Sequence, residues 1–305
     1  MVSELRERAA LVALLQQPGA RWHEITLDVL DAESAIDVLR RRLGLEDTLF
    51  PETRAVESAI NAAAEQIHSW NGAGIGVHAF FDDDYPEQLR GIHQMPPILF
   101  SRGVPAVDHR AIAVVGTRQA SPHGLKIATA VASELARDGV TVVSGLAKGI
   151  DTAAHQAALS RGGRTVAVIG TGISRAYPRE NAGLQERIAR EGLVISQFWP
   201  DAPPSRQSFP MRNAVMSGYS AATVVVEAPA KSGARIQARL ALAHGRPVIM
   251  PRELLQNDWA REYAERPGVH VVGGVDEILM VTNKVITELN TEPDALPEAP
   301  RFAWA

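Results

Sequence analysis

Apolar residues follow two different rhythms along this chain. In residues 4–15, Leu5, Leu11, Val12, Leu14 and Leu15 fall on a mostly helical pattern that Pro18-Gly19 interrupts. Similar patterns predict helices over residues 33–43 and 51–70, so residues 1–70 read as a small helical domain. From residue 111 the rhythm changes to short, continuous apolar runs, each followed by a turn and a stretch of helical length. Such runs lie at 111–115, 140–143, 165–169, 193–196, 222–226, 247–250 and 269–272, and they have the composition of strands buried on both faces. Helices are predicted between them, near 123–138, 150–160, 180–191, 212–218, 232–244 and 253–264. This alternation predicts an α/β fold: a doubly wound, mostly parallel sheet that binds ligands at the carboxyl ends of its strands.

Residues 71–110 read as a lead-in to the sheet. Asn71-Gly72-Ala73-Gly74 punctuates the chain before a short strand at 75–78. Asp82-Asp83-Asp84-Tyr85-Pro86 reads as a solvated turn, because three adjacent carboxylates cannot all converge on one metal ion. The sheet domain is expected over residues 111–282. Residues 283–305, which end in acidic, proline-rich sequence, are expected to be a disordered tail.

Composition narrows the function. No apolar run reaches membrane-spanning length and the start lacks the apolar core of a signal peptide, so a cytoplasmic protein without a membrane partner is expected. The absence of cysteine excludes disulfides, thiolate catalysis and cysteine zinc sites. The net charge of −4 hides a partition. Residues 111–250 carry sixteen Lys and Arg against eight Asp and Glu, a local charge of +8, while residues 1–110 and 251–305 carry −7 and −5. A basic centre of this kind steers anions to one face despite a negative total.

The chemistry concentrates at the strand ends. Gly116-Thr117-Arg118 closes the first sheet strand, and Ser144-Gly145-Leu146-Ala147-Lys148-Gly149-Ile150-Asp151 closes the second. Each turn is expected to present backbone N–H groups at a helix start beside a cation, which suits phosphate. No Gly-x-Gly-x-x-Gly is present and no acidic residue ends the second strand, which argues against a nicotinamide or flavin cofactor. Asp151 and His155 share a helix face but have no nucleophile beside them in sequence, so they read as a helix-end hydrogen bond and a packing residue. A third turn holds Gly170, Gly172, Arg175, Tyr177, Arg179 and Asn181, where Tyr177 either stacks on a base or packs the turn. Arg212-Asn213 follows Phe209-Pro210-Met211 at a helix start. Lys231-Ser232 forms half of a phosphate loop without the glycine-rich approach of a nucleotide triphosphatase. With no catalytic constellation and no metal cluster in the sequence, binding is expected in preference to catalysis.

Taken in order, the blocks resemble the DNA-processing protein A family, also called DprA or Smf. The Gly-Thr-Arg turn, Ser144 to His155, Tyr177 to Asn181, Phe209 to Asn213 and Glu227 to Gly233 follow the family pattern. Tyr85-Pro86 and Pro96-Pro97-Ile98-Leu99-Phe100 match its upstream part. The resemblance implies an extended Rossmann-like domain that binds single-stranded DNA, dimerises, and loads the RecA recombinase in natural transformation. It also implies phosphate contacts from Arg118, Lys148, Arg175, Arg179 and Arg212, with Gly116, Gly145, Gly149, Gly170 and Gly172 permitting close approach. Gln197, Ala214 and Met250-Pro251-Arg252 depart from the pattern, toward the surfaces expected for dimer and recombinase. A related superfamily of phosphoribohydrolases supplies the alternative, a nucleotide-binding sensor or enzyme. Its Pro-Gly-Gly-x-Gly-Thr-x-x-Glu motif is absent: residues 227–233 read Glu-Ala-Pro-Ala-Lys-Ser-Gly.

Overall fold

A computed structural model describes residues 2–43 and 53–291. They divide into two compact units: one reaches to Tyr85 and includes Pro96–Phe100, the other holds Pro86–Met95 and the residues from Ser101 onward.

The first unit contains α1 (Val2–Leu15), α2 (Trp22–Ala32), α3 (Ala35–Arg42), α4 (Thr53–Gly72) and strand β1 (Gly76–Ala79). Leu11, Leu14, Ile25, Leu39, Ile60 and Ile67 are fully enclosed. Helix α2 is an addition to the elements read from the sequence. Its buried stripe is only Ile25, Thr26 and Val29, too short for a periodic signal. Glu7 of α1 fastens α3: its carboxylate accepts from Ser34 Oγ at 2.9 Å and from the Ala35 N–H at 2.6 Å, beside the Ser34 cap. The acidic run forms the expected turn with Asp83 and Asp84 exposed, and Asp82 alone departs from the expectation. Asp82 is buried, and its Oδ2 accepts from the Ala79 N–H at 2.6 Å and from Arg8 Nε at 2.7 Å. Burial pushes this carboxyl up, and Arg8 opposes the shift.

The second unit is the sheet domain. Strand β2 (Ile98–Gly103) enters it, preceded by the short helix α5 (Glu87–Arg90), so the stretch read as a lead-in carries regular elements. There follow β3 (Ala111–Val115), α6 (Pro122–Arg137), β4 (Thr141–Ser144), α7 (Ile150–Ser160), β5 (Thr165–Val168), α8 (Ala182–Glu191) and β6 (Leu193–Ser196). The chain continues through α9 (Ser208–Tyr219), β7 (Ala222–Val225), α10 (Gly233–Ala243), β8 (Val248–Pro251), α11 (Asp258–Ala264), β9 (Val269–Val272) and α12 (Val275–Thr291).

Strands β3 to β9 pair in the order β6-β5-β4-β3-β7-β8-β9, all parallel. Every residue of β3 through β8 is buried, as two-sided cover requires, while β9 at the edge is only partly so. Ile112, Val114, Val142, Ala222 and Val224 face a core built with Val131 and Leu135 of α6, Ile150 and Ala154 of α7, and Ile278 and Ile286 of α12. Helices α9 and α10 contribute nothing to that core and pack on β3, β5, β7 and β8 from the opposite face.

Two expectations change here. Residues 252–264 form a 3-10 turn (Arg252–Gln256) and then α11, separated at Asn257, whose backbone is extended. Helix also continues to Thr291, where a tail was expected from 283, because Ile278, Val285 and Ile286 supply a buried stripe against the core. The rest of that expectation, over residues 292–305, lies outside the described residues.

A carboxylate ties the amino-terminal side of the sheet together. Asp108 accepts from Arg164 Nε at 2.7 Å and Nη2 at 2.8 Å, from Thr141 Oγ1 at 2.6 Å and from Tyr219 Oη at 2.6 Å. Burial alone would raise its pKa, but these hydrogen bonds and the Arg164 charge hold it below the ordinary carboxylate value. Asp108→Ala is expected to lower stability by about 3 kcal/mol, since it strands a partly buried guanidinium. A depressed folded pKa contributes stability above the unfolded value of about 3.9. The gap between wild type and variant in urea unfolding should therefore be full at neutral pH and close as the pH falls below about 4.

Candidate nucleic-acid interface

The strand order reverses at β3, with β4, β5 and β6 on one side and β7, β8 and β9 on the other. The loops leaving β3 and β7 diverge at this switch point, where a doubly wound sheet opens a ligand crevice. A cavity of about 520 Å³ lies there, between Gly116–Gln119, the first turns of α9 and residues 229–234.

Its exposed chemistry is cationic and aromatic. Arg118 is exposed, with its guanidinium 5.2 Å from the Phe209 ring centroid. The Tyr177 ring lies 5.6 Å from Phe209, tilted by 43°, and remains 42% exposed. Lys231 is exposed on the opposite loop, and Ser232 beside it caps α10 by accepting from the Ala234 N–H at 3.2 Å.

Beneath this surface lie two buried, opposite charges. Arg212 is 6% exposed and donates from Nη1 to the Val168 carbonyl at 3.1 Å. Asp151 is its counter-charge, and its Oδ2 accepts from the Gly145 N–H at 3.2 Å and the Ala147 N–H at 3.3 Å. Burial pushes the Asp151 carboxyl up against the opposing pull of Arg212. Burial, and then the charge of Arg118, lower Arg212 against the pull of Asp151. Burial and Arg212 together push His155 down to about 3, so its imidazole is neutral and pairs through Nδ1 with Thr165 Oγ1 at 2.7 Å. The packing role read for His155 holds, and Asp151 makes its hydrogen bonds at the start of α7.

Several of the backbone N–H groups expected to cradle phosphate are instead taken by the chain's own oxygens. At α6, Ser121 Oγ accepts from the Gly124 N–H at 3.0 Å, and Glu227 accepts from the Ser121 N–H and hydroxyl, each at 3.0 Å. In the loop before α7, Asp151 takes the Gly145 and Ala147 N–H groups. The helix dipoles attract negative charge, and the protein's own carboxylates supply it. Cationic side chains are left to meet an anion.

The glycines likewise make room for the protein's own atoms. The Arg212 guanidinium fills the space that a Cβ at Gly145 would need. Gly149 has φ 73° and ψ −120°, and a Cβ there would lie 2.5 Å from the Thr117 carbonyl. Gly116 faces Ile150, Gly170 the Phe209 ring and Gly172 the Trp199 and Pro200 carbonyls. The close approach expected for a ligand is therefore an approach of loop on loop.

Of the residues read from the sequence, the cavity brings together Gly116, Thr117, Arg118, Arg212, Asn213, Lys231 and Ser232. Ser144, Gly145, Lys148, Gly149, Gly170, Gly172, Arg175, Tyr177, Arg179 and Asn181 are outside its lining. Ser144 donates to the Val114 carbonyl at 2.7 Å, and buried Asn181 donates to the Leu146 carbonyl at 2.9 Å. Arg175 Nε donates to the Asp201 carbonyl at 2.6 Å, Lys148 pairs with Glu180, and Arg179 is exposed. Phe209 and Gln119 line the cavity and were not among the residues read as the site. Phe209 precedes Arg212 by three residues, so helical spacing could have placed it on the same face.

A doubly wound parallel sheet with Arg118, Arg212 and Lys231 lining a cavity at its switch point is a Rossmann-like architecture. Residues 76–279 match the DNA recombination-mediator protein A family, and the chain belongs to that family. Protein Smf of Synechocystis is 37% identical over 220 residues, which cover 70% of this chain and 53% of that protein. The matched stretch thus spans about half the length of this relative. The structure of DNA processing protein A from Streptococcus pneumoniae superposes with a TM-score of 0.65 at 27% identity, covering 92% of this chain and 96% of that one. DNA processing protein A from Helicobacter pylori, whose structure addresses a single-stranded DNA binding mode, gives 0.60 at 25% identity over 70% of this chain and 96% of that one. Among the described residues, no helix is long and apolar enough to cross a membrane.

The loop packing has a direct test. Gly149→Ala must move the Thr117 backbone and adopt a left-handed φ, so it is expected to cost about 2–3 kcal/mol in chemical denaturation. Gly183→Ala, in α8 with open space around it, is expected to stabilise by about 0.5–1 kcal/mol.

Proposed function

We propose that this chain binds single-stranded DNA along the mouth of the switch-point cavity and acts as a recombination mediator. The observation that carries this reading is the exposed Arg118 guanidinium over the half-buried Phe209 ring at the cavity, with the exposed Tyr177 ring beside Phe209, a cation on an aromatic platform. Aromatic faces accept any base, and a cation beside them meets the phosphate. Lys231 contacts phosphate from the opposite loop, while Lys148, Arg175 and Arg179 extend the basic track beyond the cavity. Arg212, being buried, acts through its charge and by holding the floor. Family membership and the single-stranded DNA binding mode of the Helicobacter pylori relative support the same reading. The finer proposal is a cytoplasmic homodimer that hands its strand to RecA and binds without catalysis. A cavity of about 520 Å³ also has the size of a small-ligand pocket, which keeps a mononucleotide sensor or phosphoribohydrolase as the second reading.

Fluorescence anisotropy with a labelled oligonucleotide tests the first reading. Binding is expected at low salt, weakening steeply as salt rises, with little dependence on sequence. Arg118→Ala should weaken binding to every sequence alike, and Phe209→Ala should cost about 1–3 kcal/mol through lost stacking. No anisotropy change at low salt overturns the single-strand reading. Release of free base from a nucleoside monophosphate would establish the second one.

A further inference from the structure

Basic residues of the candidate track have to be available to a strand, and one of them is already engaged by the protein. Lys148 Nζ is paired with Glu180 Oε1, and the two side chains are 54% and 55% exposed. The backbone beneath Lys148 is fixed from several sides. Asp151 holds the Gly145 and Ala147 N–H groups, Asn181 donates to the Leu146 and Ala147 carbonyls, and Gly149 is seated on Thr117. The ammonium and its stem are the part of this loop that can swing. Glu180 and Asn181 are consecutive in the 3-10 turn Arg179–Asn181, so one turn grips both the loop backbone and its cation.

Most other acids of the basic region are committed elsewhere. Glu134 and Asp138 pair with Arg137, Glu186 with Arg102 and Glu191 with Arg187; Asp151 is buried and Glu227 accepts from Ser121, the cap residue of α6. Glu180 differs in pairing with a cation of the track itself.

We propose that Glu180 is a built-in competitor for the DNA phosphate at Lys148, an affinity-setting residue that occupies the ammonium in the unbound protein. The inference rests on the single-strand reading above. An exposed ion pair is worth about 0–1 kcal/mol, so a polyanion can displace it. Displacement breaks the Lys148–Glu180 attraction, and that loss is subtracted from the phosphate contact. The protein therefore neutralises fewer phosphates than its basic residues would allow, and it releases the strand more readily.

The test is equilibrium binding of a labelled single-stranded oligonucleotide to the full chain across a salt series. Glu180→Gln is expected to bind about threefold to fivefold tighter, the equivalent of one exposed pair. Its log–log salt slope should steepen by about 0.7, the value for one more neutralised phosphate on a single strand. Lys148→Gln should bind more weakly, and Lys148→Gln/Glu180→Gln should match Lys148→Gln alone. Unchanged affinity and slope in Glu180→Gln, with wild type binding normally, overturn this inference and leave the single-strand reading standing. A gain that persists in the Lys148→Gln background also overturns it, since the effect would then be general charge. A wild-type chain that binds no oligonucleotide overturns both. Thermal melting should show Glu180→Gln as stable as wild type, because both side chains are half exposed.

Discussion

A guanidinium buried under the switch point of a sheet needs a counter-charge, and the geometry around Arg212 and Asp151 follows from that need. Arg212 reaches from α9 to the Val168 carbonyl at the end of β5, and Asp151 reaches from α7 to the N–H groups after β4. The pair thus links the ends of neighbouring strands to helices on opposite faces. Gly145 is required because the guanidinium fills its side-chain space, and His155 stays neutral because it is buried near that positive charge.

Carboxylates that occupy turn N–H groups help decide which groups remain for recognition. Glu227 accepts from Ser121, the residue that caps α6, and Asp151 accepts from the Gly145 and Ala147 N–H groups in the loop before α7, at turns that in many phosphate-binding folds point at a ligand. The protein then presents Arg118, Lys148 and Lys231 on exposed stems, together with the rings of Tyr177 and Phe209. Flexible cations and aromatic faces suit a long, irregular anion better than a rigid N–H cradle does, because successive phosphates need not fall at one fixed position.

Much of the sheet was legible in the chain. The runs at 111–115, 193–196 and 269–272 coincide with β3, β6 and β9, and the stretch 150–160 coincides with α7. Continuous apolar runs carry this information because two-sided burial excludes polar residues from the strands. Helix α2 and the continuation of α12 were less legible, since their stripes are short or spaced at i, i+7 and i+8. Asp82 was misread for a different reason: its partner Arg8 lies 74 residues away, and local sequence does not show it.

The sequence by itself determined the strand–turn–helix order, the basic centre and the cations at strand ends, because these depend on local spacing and on counting charges. Only the tertiary structure decided which of those groups face a ligand. Glu227 meets Ser121 across 106 residues, Arg212 meets Val168 across 44, and Asn181 meets Leu146 across 35. A glycine turn and a capped turn read alike along the chain. They differ only in what another strand end brings within hydrogen-bonding distance.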